Sequence, residues 1–315
     1  MRLISLTQNS WILRFGELGL KSKPVRSAFQ KVLRRNLEQL AINSNTPMIH
    51  ELIRQQEIIS SSAPIAVVED LLCHVFGVAA LDRVVVLCDE LNPSEVAKSF
   101  LSRDEKVGKA RSFGVRVRRV GESKQWNSQS FSAAVGSALQ AGDDSLSVNL
   151  REPDMWVKLI MEHDRVSLVE KRIQGAGGLP SGVQGDVLIQ IKNRDDMLGA
   201  FLIMRRGTRL IPVLDCDEEL VAMLSKFDPF IGLRTRVNND NGKRHQRPAW
   251  GVLGLTTEQA EPFVEKHVNA VKTTPLSTLE PLCGWSEEEK IALLNHIEKP
   301  STHISHPDLT SWINV

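Results

Sequence analysis

The chain has 315 residues, 39 Lys+Arg against 38 Asp+Glu, and is 42% hydrophobic, a composition that fits a folded, soluble protein of two or three domains and excludes a disordered, collagen-like or coiled-coil chain. No run approaches 18 apolar residues, and Cys73, Cys88, Cys216 and Cys283 stand far apart without a C-x-x-C pair. Membrane spanning, secretion, a zinc ribbon and a disulfide framework are therefore disfavoured, and a reducing cytoplasm is the expected setting. The near-zero net charge conceals an asymmetry: residues 1–41 hold eight basic and two acidic side chains, residues 103–124 eight and three, and residues 251–299 four and eight. A basic front half on a neutral chain is the footprint of a polyanion such as RNA, or of two solvated helix faces.

Ile12–Leu18 reads as a strand, after which Pro24 opens a helix with Val25, Phe29, Val32, Leu33, Leu37 and Leu40 at helical spacing. Residues 47–60 read as one or two strands, 64–76 as a short helix and 81–88 as a β-branched strand, a β-α-β-β-α-β order like that of a ferredoxin-like module. A second α+β unit follows, with a helix over 93–102, a strand from Ser112 to Val120, a helix over 129–140 and strands at 146–150, 156–161 and 166–171. In the Ser112–Val120 strand, alternation with Val115 and Val117 places Arg116 and Arg118 on one face and turns Arg119 the other way.

Gly175–Gly182, with four glycines and a proline, marks a boundary that continues neither helix nor strand, and reads as a hinge rather than a phosphate cradle. Beyond it a strand at 187–191, a helix over 196–206 and a strand at 209–214 form a βαβ unit, the start of a parallel-sheet domain. Residues 238–247 read as a polar loop, 257–271 and 286–298 as helices, and the last fifteen as irregular.

Three separated stretches resemble the tRNA 4-thiouridine synthetase (tRNA uridine 4-sulfurtransferase) family. Arg14-Phe15-Gly16-Glu17-Leu18-Gly19-Leu20-Lys21 is similar to its opening GE-x-x-x-K motif. SFGVRVRRVG at 112–121, VNLREPD at 148–154 and GAGGLPSGVQG at 175–185 resemble its THUMP domain and the linker after it. FLIMRRG at 201–207 and PLCGWSEEEKIALLNHI at 281–297 resemble its catalytic domain. The resemblance implies an α/β and α+β multidomain fold: an N-terminal ferredoxin-like domain (1–80), a THUMP domain (81–175), a Gly-rich linker (176–186) and a Rossmann-like PP-loop domain (187–315). It also implies a tRNA acceptor end held by the first two domains, with Lys21, Lys23, Arg26, Arg116, Arg118, Arg119, Lys171 and Arg172 as candidate phosphate contacts. In the family the PP-loop adenylates a uridine with Mg-ATP, and a cysteine persulfide displaces the AMP.

The family's S-G-G-x-D-S signature stands here as Ile191-Lys192-Asn193-Arg194-Asp195-Asp196, which keeps only Asp195. Side chains at Lys192 and Asn193 obstruct the close approach of a pyrophosphate to backbone N–H groups, and Asp196 adds a carboxylate beside it. The T-G-x-S-x-G-Q segment stands as Leu253-Gly254-Leu255-Thr256-Thr257-Glu258-Gln259, keeping Gly254 and Gln259; no cysteine follows Cys283 up to Val315, and a rhodanese-type domain is not expected. The expectation is a degenerate nucleotide loop and a non-catalytic tRNA-binding subunit or regulator of tRNA thiolation, with no cofactor, paired with a catalytic paralogue or with itself. The alternative is an active sulfurtransferase using Mg-ATP, with Asp195 on magnesium, Lys192 and Arg194 on phosphates, and Cys216 or an external donor supplying sulfur. A THUMP-type methyltransferase is weak, since no strand ends in a Gly-rich cofactor loop.

Cys216, flanked by Asp215, Asp217 and Glu218, reads as an inert thiol, and Cys283 as a packed one. No metal site is expected, because His303 and His306 lack further ligands nearby. Trp126 and Trp156 are read as core residues, with base stacking as their alternative role.

Overall fold

A computed structural model describes residues 9–53, 56–121, 125–233, 249–260 and 277–302. The expected loop at 238–247, the expected helix beyond residue 260, and His303 and His306 lie outside the described residues. The contacts divide the chain into two units, residues 1–12, 51–60 and 82–172 forming one and residues 13–50, 61–81 and 173–315 the other.

The first unit is built on an eight-stranded sheet of order β2-β3-β1-β4-β8-β7-β5-β6. Its strands are β1 (Asn9–Arg14), β2 (Ile49–Ile53), β3 (Gln56–Ser61), β4 (Ala80–Cys88), β5 (Arg111–Arg119), β6 (Leu146–Val148), β7 (Met155–Met161) and β8 (Val166–Gln174). The order β2-β3-β1-β4 is that of a ferredoxin-like module, with helices α1 (Lys23–Asn43) and α2 (Ile65–Cys73) in its crossovers. β5 runs parallel to β6 and β7, and β7 pairs antiparallel with β8.

Helices α3 (Pro93–Leu101) and α4 (Ser128–Gly142) start where an asparagine caps them: the side chain of Asn92 accepts from the N–H groups of Ser94 and Glu95, and Asn127 forms a reciprocal capping box with Ser130. Val96 and Phe100 of α3 and Phe131, Val135 and Leu139 of α4 bury against Phe113, Val115, Val157 and Leu159 of the sheet. Alternation along β5 and β7 therefore puts this set inward and sends the residues between them to the other face.

The second unit holds a four-stranded parallel sheet, β10-β9-β11-β12, from β9 (Asp186–Ile189), β10 (Arg209–Pro212), β11 (Ala249–Leu253) and β12 (Ser277–Thr278). Helices α5 (Arg194–Arg205), α6 (Glu218–Ser225), α7 (Thr257–Ala260) and α8 (Glu287–Glu298) accompany it. Phe76, Phe201 and Phe227 meet with ring centroids 5.0–5.2 Å apart, alongside Ile189, Leu198 and Leu293. Each of these rings gains about 2 kcal/mol by leaving water. α1 and α2 belong to this unit, and the amide of buried Asn36 in α1 donates to the Ser181 carbonyl at 2.9 Å.

Several expectations shift. The first strand is Asn9–Arg14 rather than 12–18, and Glu17–Leu20 forms a 3-10 turn. α5 begins two residues early, at Arg194, because Asn193 caps it. α6, β11 and β12 were absent from the sequence reading. Gly175–Gly182 is neither an open hinge nor a phosphate cradle, for every residue of it is buried and its N–H groups are spent inside the protein: Ala176 on the Cys73 carbonyl, Gly177 on Val78, Leu179 on Arg205 and Gly182 on Gly207.

Candidate nucleic-acid interface and nucleotide loop

On the sheet face opposite α3 and α4, Gly114, Arg116 and Arg118 of β5 stand in register with Trp156, Lys158 and Ile160 of β7. Gly114 is required there, since a Cβ would come within 2.5 Å of the Trp156 ring. The freed space lets the half-buried indole lie against the strand, and the Arg116 guanidinium sits 3.7 Å from its ring centroid. Arg116, Arg118, Arg119 and Lys158 are exposed. Lys158 and the Gly114–Trp156 pairing escaped sequence reasoning; the parallel register that aligns the two strands is their only signal.

The VNLREPD stretch is architectural. Asn149 accepts from the N–H groups of Arg151 and Glu152 and donates to the Glu152 carbonyl, turning the chain into β7. The carboxylate of Asp154 then accepts the Ser112 N–H and hydroxyl, both at 2.7 Å, which tie the start of β7 to β5 and hold the carboxyl below its usual range.

Lys171 and Arg172 lie in the second half of β8, both exposed. Arg172 is committed inside the protein: its Nε and Nη2 donate to the two oxygens of fully buried Asp82 at 2.6 and 2.9 Å, and that pairing raises its pKa.

In the second unit, Lys23 and Arg26 lie exposed in the first turn of α1, and Lys21 precedes it. This turn holds no acidic residue and Ser22 makes no side-chain cap. Positive charge at the positive end of a helix dipole is unfavourable without an anion, so the arrangement suits one. Glu17 of the GE-x-x-x-K stretch is paired with Arg206, at 3.1 and 3.4 Å.

The loop after β9 turns its charges on one another. Asn193 accepts the Asp196 N–H at 3.0 Å, and the Asp196 carboxylate accepts the Lys192 N–H at 2.9 Å. Asp195 pairs with Lys290 of α8 and with Arg194 at 3.3 Å, and Arg194 reaches Glu287 at 2.6 Å. Lys290 first, and Arg194 after it, holds the Asp195 carboxyl below the usual carboxylate range, while Glu287 chiefly raises the Arg194 guanidinium. Gly254 follows β11 at φ +69°, where a Cβ would collide with the Gln190 carbonyl. Gln259 closes on Thr256, its Oε1 accepting the Thr256 N–H at 2.8 Å and its own N–H donating to the Thr256 hydroxyl at 3.3 Å. Glu287 and Lys290 were not among the sequence candidates. Their helix was expected, and the Ser286–Glu289 capping box is its start signal.

Of the cysteines, Cys216 packs partly buried with its sulfur accepting the Ile191 N–H at 3.3 Å, and Cys283 is exposed rather than packed. Trp126 packs edge-on against Phe131 at 5.4 Å, a core position.

A sequence profile of the THUMP domain matches residues 94–169. The chain is 30% identical over 213 residues to a probable tRNA sulfurtransferase of Methanosarcina mazei, covering 65% of this chain and 51% of that one. It is 32% identical over 207 residues to the tRNA sulfurtransferase of Shewanella baltica, covering 62% and 41%. It therefore spans about half the length of the curated relatives it matches. Among solved structures, PH1313 from Pyrococcus horikoshii superposes with a TM-score of 0.68 at 22% identity, covering 92% of this chain and 99% of that one. A 4-thiouridine synthetase crystallised with RNA and ATP superposes with a TM-score of 0.62 at 17% identity, covering 97% and 93%. The fold is that of the ferredoxin-like, THUMP and PP-loop architecture, so the molecule is a THUMP-domain protein. The curated relatives, which match 62–65% of this chain, are named as tRNA sulfurtransferases. Among the described residues, no helix is long and apolar enough to cross a membrane.

Proposed function

We propose that this chain binds tRNA through its ferredoxin-like and THUMP elements and no longer adenylates it, serving tRNA thiolation as a non-catalytic subunit or regulator. The observation that carries the reading is the contrast between the exposed row of Arg116, Arg118 and Lys158 and the internally paired Arg194, Asp195 and Asp196. Among the described residues no ion pair holds Arg116, Arg118 or Lys158, so phosphates meet that group without breaking one. To enter the loop, a nucleotide must displace Lys290 or Glu287 from their partners and face the carboxylate of Asp196, a like-charge contact of several kcal/mol at intermediate dielectric. The naming of its relatives as tRNA sulfurtransferases, and the RNA in a structure of the same fold, support tRNA as the partner.

The test is pyrophosphate release from Mg-ATP, with and without tRNA, on protein already shown to bind that tRNA. Binding without release is the expected result. Release that requires tRNA would establish the opposite reading, an active sulfurtransferase with a rearranged loop.

A further inference from the structure

On the outward face of β5 and β7 one ring is held between two residues of the facing strand. A Cβ on Gly114 would stand 2.5 Å from Cζ3 of the Trp156 indole and 2.9 and 3.0 Å from the flanking Cε3 and Cη2. Those distances belong to a point above the ring plane; a point off the edge would lie farther from the two flanking atoms. The indole therefore lies with one face against the Gly114 backbone. Arg116 Cζ stands 3.7 Å from the ring centroid, which only a position over a face allows.

It is the other face. A guanidinium on the Gly114 side would crowd the place of that Cβ, whose three nearest atoms all belong to the indole, and would be buried beneath the ring, whereas Arg116 is exposed. Gly114, Trp156 and Arg116 thus form three layers, with the guanidinium outermost. Among the described residues Arg116 makes no hydrogen bond or ion pair, and no ring lies under Arg118 or Lys158.

We infer that Trp156 is a positioning residue with no face left for a ligand, and that Arg116 is the layer that meets RNA, its outer plane taking an unpaired nucleobase. The inference rests on the reading that this face binds tRNA. A free arginine side chain samples many rotamers and loses them on binding; one already laid flat on a ring loses fewer. A plane is complementary to another plane, and bases stack on guanidinium groups as they do on aromatic rings. Base-paired RNA keeps its bases inside the helix and offers phosphates instead, which suit the unstacked Arg118 and Lys158.

A double-mutant cycle on the tRNA affinity of the full chain tests it, with folding checked by circular dichroism. Arg116→Ala should weaken binding about 10-fold or more. Trp156→Leu should weaken it about 5-fold in the parent chain and less than about 2-fold in Arg116→Ala, since the ring acts only through the guanidinium. Trp156→Phe, which keeps a ring face, should stay within about 2-fold of the parent chain. Arg116→Lys keeps the charge and loses the plane, so it should bind about 5-fold more weakly at an unchanged salt slope. That surface variant decides the matter if Trp156→Leu fails to fold. Equal losses from Trp156→Leu in both backgrounds, or parent-like affinity in Arg116→Lys, overturn the inference while leaving this face a tRNA site. Parent-like affinity in Arg116→Ala instead removes the face from the tRNA reading, and the inference falls with it.

Discussion

The sheet face of β5 and β7 and the loop after β9 are both rich in charge, and they spend it in opposite ways. Arg116 lies on Trp156 with Arg118 and Lys158 beside it, outward and exposed. Arg194 and Asp195 are instead held by Glu287 and Lys290, and Asp196 by a backbone amide. Local sequence separates the two poorly, since each stretch shows alternating basic residues. What differs is whether the fold brings an opposite charge to meet them. Positive charge left unmet on a flat strand face is available to a polyanion, whereas charge met within the protein sets the shape of a loop and opposes a ligand.

The largest effect should come from the Trp156–Arg116 stack. If this face holds tRNA, the double substitution Trp156→Ala with Arg116→Ala removes a stacking platform and a cation, and should weaken binding about 10-fold to 100-fold, since base stacking on aromatic residues contributes about 1–3 kcal/mol per base. Asp195→Asn in the same filter-binding assay should leave tRNA affinity within a factor of two. Equal losses from both variants would erase the distinction between the regions.

Gly254→Ala probes the other side. At φ +69°, with the Gln190 carbonyl in the way of a Cβ, the substitution should destabilise the fold by about 1–3 kcal/mol in urea unfolding. Below the unfolding transition, tRNA affinity should be unchanged. A neutral effect on stability would mean that the loop rearranges easily, and that its closed arrangement is no barrier to a nucleotide.

Arg118→Ala sharpens the first region without touching the stack. One lost phosphate contact should lower the slope of log affinity against log salt by about one and weaken binding to all RNA sequences alike. An unchanged slope would remove Arg118 from the contact set.

These differences were only partly legible in the sequence. Periodicity located α1, where Leu33, Leu37 and Leu40 are buried, and alternation in β5 located Arg116 and Arg118 on an exposed face. It did not find α6, whose eight residues follow the polar Asp215-Cys216-Asp217, nor β11 and β12, which are short and pair only across long separations. The Asp195–Lys290 pair joins residues 95 positions apart, so no spacing rule announces it. Gly175–Gly182 misled because glycine signals conformational freedom, and here that freedom serves close packing, with Gly178 at φ +66° against the Arg205 carbonyl.

The smallest effect should be the acid behaviour of Asp195. Its carboxyl is held below the usual range by Lys290 first and Arg194 second, so the folded state binds its proton less readily than the unfolded chain does. The stabilisation is therefore complete above the unfolded carboxylate pKa of about 4 and is lost as pH falls through the lower folded value. Because Asp195 is 42% exposed, screening keeps the pair within about 1 kcal/mol. Lys290→Met should lower stability slightly at pH 7 and converge with the parent chain near pH 2, seen as a flatter pH dependence of the urea midpoint. The same variant should also open the loop, since Asp195 then retains Arg194 alone. If Mg-ATP raises the unfolding temperature of Lys290→Met and not of the parent chain, the ion pair is the element that keeps a nucleotide out of this loop. If it raises neither, the Lys290 pair is not what decides nucleotide binding, and the side chains of Lys192 and Asn193 are the next to replace.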